Sequence, residues 1–196
     1  METFLTSTGV VTLGEIGDKT QLLALMLTAR FKRPWVIVAG ILAATLLNHL
    51  CAGLAGFWIK THVSPDVLRW VLGGAFIVMG FWILVPDKLD EPDALKQKGI
   101  QQTAWSVFIF TVLTFFLAEM GDKTQLATVG LAARFDSLVA VILGTTAGML
   151  IADAPVVWLG HAASDKLPLK WIHGLCAIIF IAIGAYLLYF GFSDNL

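Results

Sequence analysis

The stretch Glu15-Ile16-Gly17-Asp18-Lys19-Thr20-Gln21-Leu22 places two carboxylates, an ammonium, a hydroxyl and an amide inside an otherwise apolar segment. It returns 104 residues later as Glu119-Met120-Gly121-Asp122-Lys123-Thr124-Gln125-Leu126, identical at seven of eight positions. Clustered carboxylates supplemented by hydroxyl and amide oxygens suit a hard divalent cation such as calcium, magnesium or manganese. Acids gathered in a low dielectric cannot all ionise together, so protons compete with a metal for the same oxygens. That competition is the physical basis of metal–proton exchange. Glu15, Asp18, Glu119 and Asp122 are the expected metal ligands.

On a continuous helix at about 100° per residue, Glu15 and Asp18 share a face and Lys19 sits four residues on from Glu15. Thr8 and Thr12 extend that face. Thr20 and Thr124 rotate away from it and rank lower as supporting groups. Gln21 and Gln125 either supply amide oxygens or hold helices together. Gly17 and Gly121 allow close helix approach or a local break. Lys19 and Lys123 have two readings of equal standing. Each either gates its own side by pairing with an acid when that side closes, or forms a fixed ion pair that neutralises buried charge.

These groups sit in a chain of 196 residues that is 58% apolar and 14% charged, against roughly 25% charged in a soluble domain. Its mean hydropathy is +0.82. A spanning helix uses about 20 residues, so six spans leave room for loops and for no separate soluble catalytic domain. A net charge of −1 gives no basic patch for nucleic acid. The predicted fold is all-α and integral to the membrane, with spans near residues 4–29, 35–59, 67–86, 104–131, 138–161 and 171–192. The first span, lacking a basic leader, is read as retained. Cys51 and Cys176 read as small buried hydrophobes. Trp35, Trp58, Trp105 and Trp171 read as interfacial anchors, and Gly144 to Gly148 as a packing seam.

The repeat extends beyond the motif. Leu27, Ala29, Arg30 and Phe31 match Leu131, Ala133, Arg134 and Phe135, and Gly40, Gly56, Phe76 and Gly80 match Gly144, Gly160, Phe180 and Gly184. Residues 1–90 form the first three-helix repeat, 91–103 a linker and 104–196 the second. Three spans per repeat is an odd number, so the copies enter the membrane from opposite faces: an inverted repeat, with sites near the midplane where the halves meet. Eight Lys and Arg residues fall on one side, among them Arg30, Lys32, Arg33, Lys88, Lys96 and Lys98, and three on the other. The positive-inside rule then places the 87–103 linker in the cytoplasm and both termini outside.

Charges at that depth cost at least ~2.5–3.5 kcal/mol each on insertion scales, so six of them in two motifs require compensation. Asn48 and His49 correspond to Ala152 and Asp153, which breaks the repeat's symmetry. Asp153, two residues before Pro155, is the stronger candidate for a proton relay or metal contact; His49 is the weaker.

The twice-repeated Glu-x-Gly-Asp-Lys-Thr, on the first and fourth of six spans, resembles the family of Golgi calcium/manganese–proton antiporters, plant chloroplast manganese transporters and bacterial manganese exporters. The resemblance covers essentially the whole chain. It implies that Glu15, Asp18, Glu119 and Asp122 bind the cation, with Lys19, Thr20, Lys123 and Thr124 completing the motif. The short linker and the lack of an N-terminal extension resemble the bacterial members. Export of Mn²⁺ from the cell across the inner membrane is therefore favoured, with calcium/proton exchange next and no resident cofactor. A passive cation channel fits less well, because lysines stand in the motif. A non-transporting membrane assembly factor would be cheaper to build without the charged core, and no nucleophile–base set suggests an enzyme. Monomer and homodimer are both left open.

Overall fold

The computed structural model describes residues 1–85, 103–159 and 169–190, with backbone alone for Leu159 and for residues 169–173. Eight helices run through the described residues: α1 Glu2–Glu15, α2 Lys19–Phe31, α3 Pro34–His62, α4 Pro65–Ile83, α5 Ala104–Glu119, α6 Lys123–Arg134, α7 Leu138–Leu159 and α8 Leu169–Phe190. Pro34 and Pro65 stand in the first turns of α3 and α4, where the missing N–H has no intrahelical partner to lose. Most of the expected linker, including Asp87, Lys88, Asp90, Glu91, Asp93, Lys96 and Lys98, lies outside the described residues.

Two of the expected helices are not continuous. The segments read as spans 4–29 and 104–131 each break at the motif, between α1 and α2 and between α5 and α6. The physical cause is Gly17 at φ 84° and Gly121 at φ 77°, a left-handed conformation that ordinary residues avoid at a cost of roughly 1–2 kcal/mol. The bend between α5 and α6 is 74°. Among the described residues, Pro34–His62, Pro65–Ile83 and Leu138–Trp158 are individually long and apolar enough to cross a membrane, and the bent pair α5–α6 makes a fourth when taken together.

Packing interlocks the two halves. α1 lies along α7, α5 lies against α3, and α4 pairs with α8. The first half-helix of each repeat thus leans on the middle helix of the other. Small residues permit this: a Cβ on Gly148 would stand 2.6 Å from Thr8 O, and one on Gly40 would stand 2.7 Å from Thr111 Cβ. Thr12 Oγ1 also donates to Gly148 O at 3.2 Å. Thr8 donates to Phe4 O within its own helix.

Two apolar clusters flank the break region. One joins Val10 of α1 to Leu72 and Phe76 of α4, Leu131 of α6 and Phe180 of α8. The other joins Leu23, Leu27 and Phe31 of α2 to Ile37 and Ile41 of α3 and Phe115 of α5. Cys176 is buried and donates to Leu13 O at 3.0 Å. Cys51, expected inside, is exposed on α3, because it falls on the outward face of that helix. Trp35, Trp58 and Trp105 are exposed near helix ends.

Candidate cation site

Each motif becomes a helix–turn–helix corner. Glu15 is the last residue of α1 and Glu119 the last of α5, while Asp18 and Asp122 occupy the N-cap positions of α2 and α6. The turns close through Asp18 N–H to Glu15 O at 3.0 Å and Asp122 N–H to Glu119 O at 3.1 Å. An N-cap aspartate ordinarily accepts from the first turn of its helix. Neither aspartate has such a side-chain cap bond here, which leaves both carboxylates for the site. The partial positive ends of α2 and α6 lie beside these acids.

The four carboxylates converge. Glu15, Asp18, Glu119 and Asp122 are all buried, and each offers one oxygen such that the four lie within 4.8 Å of one another. Two acids come from each repeat. A set of oxygens this compact matches the demands of a hard divalent cation, which takes carboxylate oxygens at about 2.0–2.6 Å.

Lysines cross between the halves. Lys19 Nζ donates to Asp122 Oδ1 at 2.5 Å, and Lys123 forms the reciprocal ion pair with Asp18. The sequence left the partner acid undetermined; the structure supplies the aspartate of the opposite motif. Lys123 is nearly enclosed, its side chain 6% exposed, whereas that of Lys19 is 21% exposed.

The supporting groups follow from the break. Thr20 Oγ1 donates to Glu15 Oε2 at 2.9 Å, and Thr124 Oγ1 to Glu119 Oε2 at 3.1 Å. Ranking these threonines below the acids' face assumed continuous helices; the corner turns each hydroxyl back onto its glutamate. Gln21 Oε1 accepts from Gly17 N–H at 3.0 Å, and Gln125 Oε1 accepts from Gly121 N–H at 2.7 Å. Their amide oxygens therefore secure the turn. Gln21 Nε2 further donates to Ala152 O at 3.1 Å, tying the first corner to α7.

Asp153 and His49 lie outside the group of four. Asp153 is fully buried on α7, with neither carboxylate oxygen hydrogen-bonded, and Glu15 is the neighbouring charge that acts on it. His49 is buried on α3 with Nδ1 unpartnered. Its neighbour Asn48 donates to Phe116 O at 3.1 Å and so ties α3 to α5. Oε1 of each glutamate and Oδ2 of Asp122 also lack hydrogen-bond partners. Buried polar atoms are rarely left so, and these three belong to acids of the converging group. Sequence reasoning passed over Ser7 and Thr45, whose buried hydroxyls have no partner; isolated hydroxyls in apolar helices carry no spacing signal.

The family described as "Divalent cation/proton antiporter GDT1" matches residues 3–91 and again residues 107–195. A protein of Vibrio cholerae serotype O1 named "Putative manganese exporter" is 44% identical over 182 residues, covering 92% of this chain and 88% of that protein. The "GDT1-like protein sll0615" of Synechocystis is 27% identical over 195 residues, covering 89% and 92%. The "Divalent cation/proton antiporter GDT1" of Saccharomyces cerevisiae is 22% identical over 243 residues, covering 100% and 86%. No solved structure matches the chain.

Proposed function

The chain belongs to the divalent cation/proton antiporter GDT1 family, and on that premise we propose that it exports Mn²⁺ in exchange for protons, with Ca²⁺ as the second candidate cargo. Glu15, Asp18, Glu119 and Asp122 hold the ion. The observation that carries the reading is the convergence of four buried carboxylates, two from each repeat, within 4.8 Å. The preference for manganese draws on the name of the Vibrio relative.

Exchange follows from the donor set. A metal binds only deprotonated carboxylates, so its binding releases protons and acid opposes it. Thr20 and Thr124 orient the glutamates, and the glutamines hold the turns that aim all four acids. Asp153, buried near Glu15 without a hydrogen-bond partner, fits a proton-accepting role beside the site, and His49 occupies the corresponding place in the other repeat.

The architecture we propose has six spans as two inverted repeats, 1–90 and 104–196, with the helix pairs α1–α2 and α5–α6 each counted as one broken span. Discontinuous helices are tolerated at membrane depth where they line a buried site. The lysine and arginine distribution supports a cytoplasmic linker and external termini, in a bacterial inner membrane.

Reconstitution into liposomes tests the function. Mn²⁺-driven flux with opposed proton movement is expected, saturable and lost in Glu119→Gln. Full flux in that variant would sink the four-carboxylate mechanism, and unsaturable flux without proton movement would favour a passive channel. A panel of divalent metals read alongside internal pH ranks Mn²⁺ against Ca²⁺.

A further inference from the structure

We propose that Lys19 is a tethered competitor for the transported ion: its ammonium occupies Asp122 in the empty site and is displaced when a divalent cation binds, while Lys123 stays as the fixed counter-charge of Asp18. This inference rests on the four acids being the cation site.

Three observations carry it. The acid oxygens lie within 4.8 Å of one another, so an ion held among them sits close to both ammonium groups. Repulsion between a doubly charged ion and a neighbouring ammonium is strong where water is excluded, and the ammonium on Asp122 Oδ1 competes with the ion for that carboxylate. The second observation is their inequality. The side chain of Lys19 is 21% exposed and that of Lys123 is 6% exposed. Lys19 is thus the less enclosed of the two, on a flexible four-carbon stem. Thirdly, Asp122 gives Oδ1 to Lys19 while Oδ2 has no hydrogen-bond partner. An arriving ion therefore has an acceptor before the ammonium leaves, and the exchange proceeds stepwise without baring the acid.

A selectivity follows from charge alone. A monovalent cation would replace one ammonium with equal charge and gain nothing electrostatically. A divalent cation brings one unit more. Lys19 thereby raises the threshold for entry above what Na⁺ or K⁺ supplies, and it becomes a determinant of divalent over monovalent binding. It also neutralises Asp122 while the site is empty.

Two measurements on the full-length protein in detergent or nanodiscs test this. In the wild-type chain, acylation of Lys19 by an amine-reactive reagent, read by peptide mass spectrometry, should increase several-fold when Mn²⁺ saturates the site, with Lys123 remaining unreactive. In Lys19→Gln, Mn²⁺ affinity should rise about tenfold, and Na⁺ should become a measurable competitor. Unchanged or reduced Lys19 labelling in a wild-type protein that does bind Mn²⁺ overturns the inference and leaves the cation site standing. Equal or weaker Mn²⁺ binding by folded Lys19→Gln overturns it as well. A wild-type protein that binds neither Mn²⁺ nor Ca²⁺ removes the site reading and the inference together. The labelling arm stands even where the variant does not fold.

Discussion

Thr20 reaches back across a break in its own helix to donate to Glu15 at 2.9 Å, and Thr124 does the same to Glu119 at 3.1 Å. Each hydroxyl binds Oε2 of a glutamate, and Oε1 of the same group has no hydrogen-bond partner. The glutamates are thus held by neutral donors and the aspartates by lysines of the opposite repeat. The two kinds of acid enter exchange from different starting points.

Replacing Thr20 with Val removes the donor at nearly constant volume. A hydrogen bond to a charged acceptor contributes about 1.5–3 kcal/mol, so Mn²⁺ affinity should fall by roughly tenfold or more. Thr20→Ser, which keeps the hydroxyl, should restore most of it. Calorimetric titration of the purified variants checks both. Equal affinity in Thr20→Val and wild type would remove the threonine from the site.

Gly121→Ala isolates backbone strain. Space is open around the added Cβ, with nothing within 4 Å, yet φ is +77°. The variant should lose about 1 kcal/mol through the left-handed conformation alone, seen as a lower midpoint in thermal unfolding. If the midpoint is unchanged, the turn tolerates a side chain and the glycine is kept for another reason.

Thr6→Phe should stabilise the protein. Thr6 occupies the place in the first repeat that Phe110 holds in the second. Phe110 packs edge-on against Phe31 with centroids 5.6 Å apart. Thr6, with Phe135 and Arg134, instead lines a cavity of about 450 Å³. An aromatic pair contributes about 0.5–1.5 kcal/mol beyond its buried area. The unfolding midpoint should rise accordingly, and a fall would mean that the cavity cannot admit the ring.

Much of this protein is legible in its sequence. The repeat at an offset of 104, the acids Glu15, Asp18, Glu119 and Asp122, and the helical, membrane-type chain all follow from residue identity and hydropathy. Helix edges at Pro34 and near Ala104 and Leu138 agree to within a residue. The state of Gly17 and Gly121 was not legible, because glycine permits both a tight crossing and a left-handed turn, and neighbours decide between them. Treating the corners as straight helix in turn misplaced Thr20 and Thr124, whose hydroxyls reach Glu15 and Glu119.

What the sequence by itself determined is the chemistry: which groups are ionisable, that they come in two matching sets, and that an apolar chain must compensate them. Tertiary structure decided their partnerships. Lys19 and Asp122 are 103 residues apart along the chain, and no local rule links them. They meet because α1 packs on α7 and α5 on α3, which brings two broken helices corner to corner. Burial then sets each motif lysine against the aspartate of the other half.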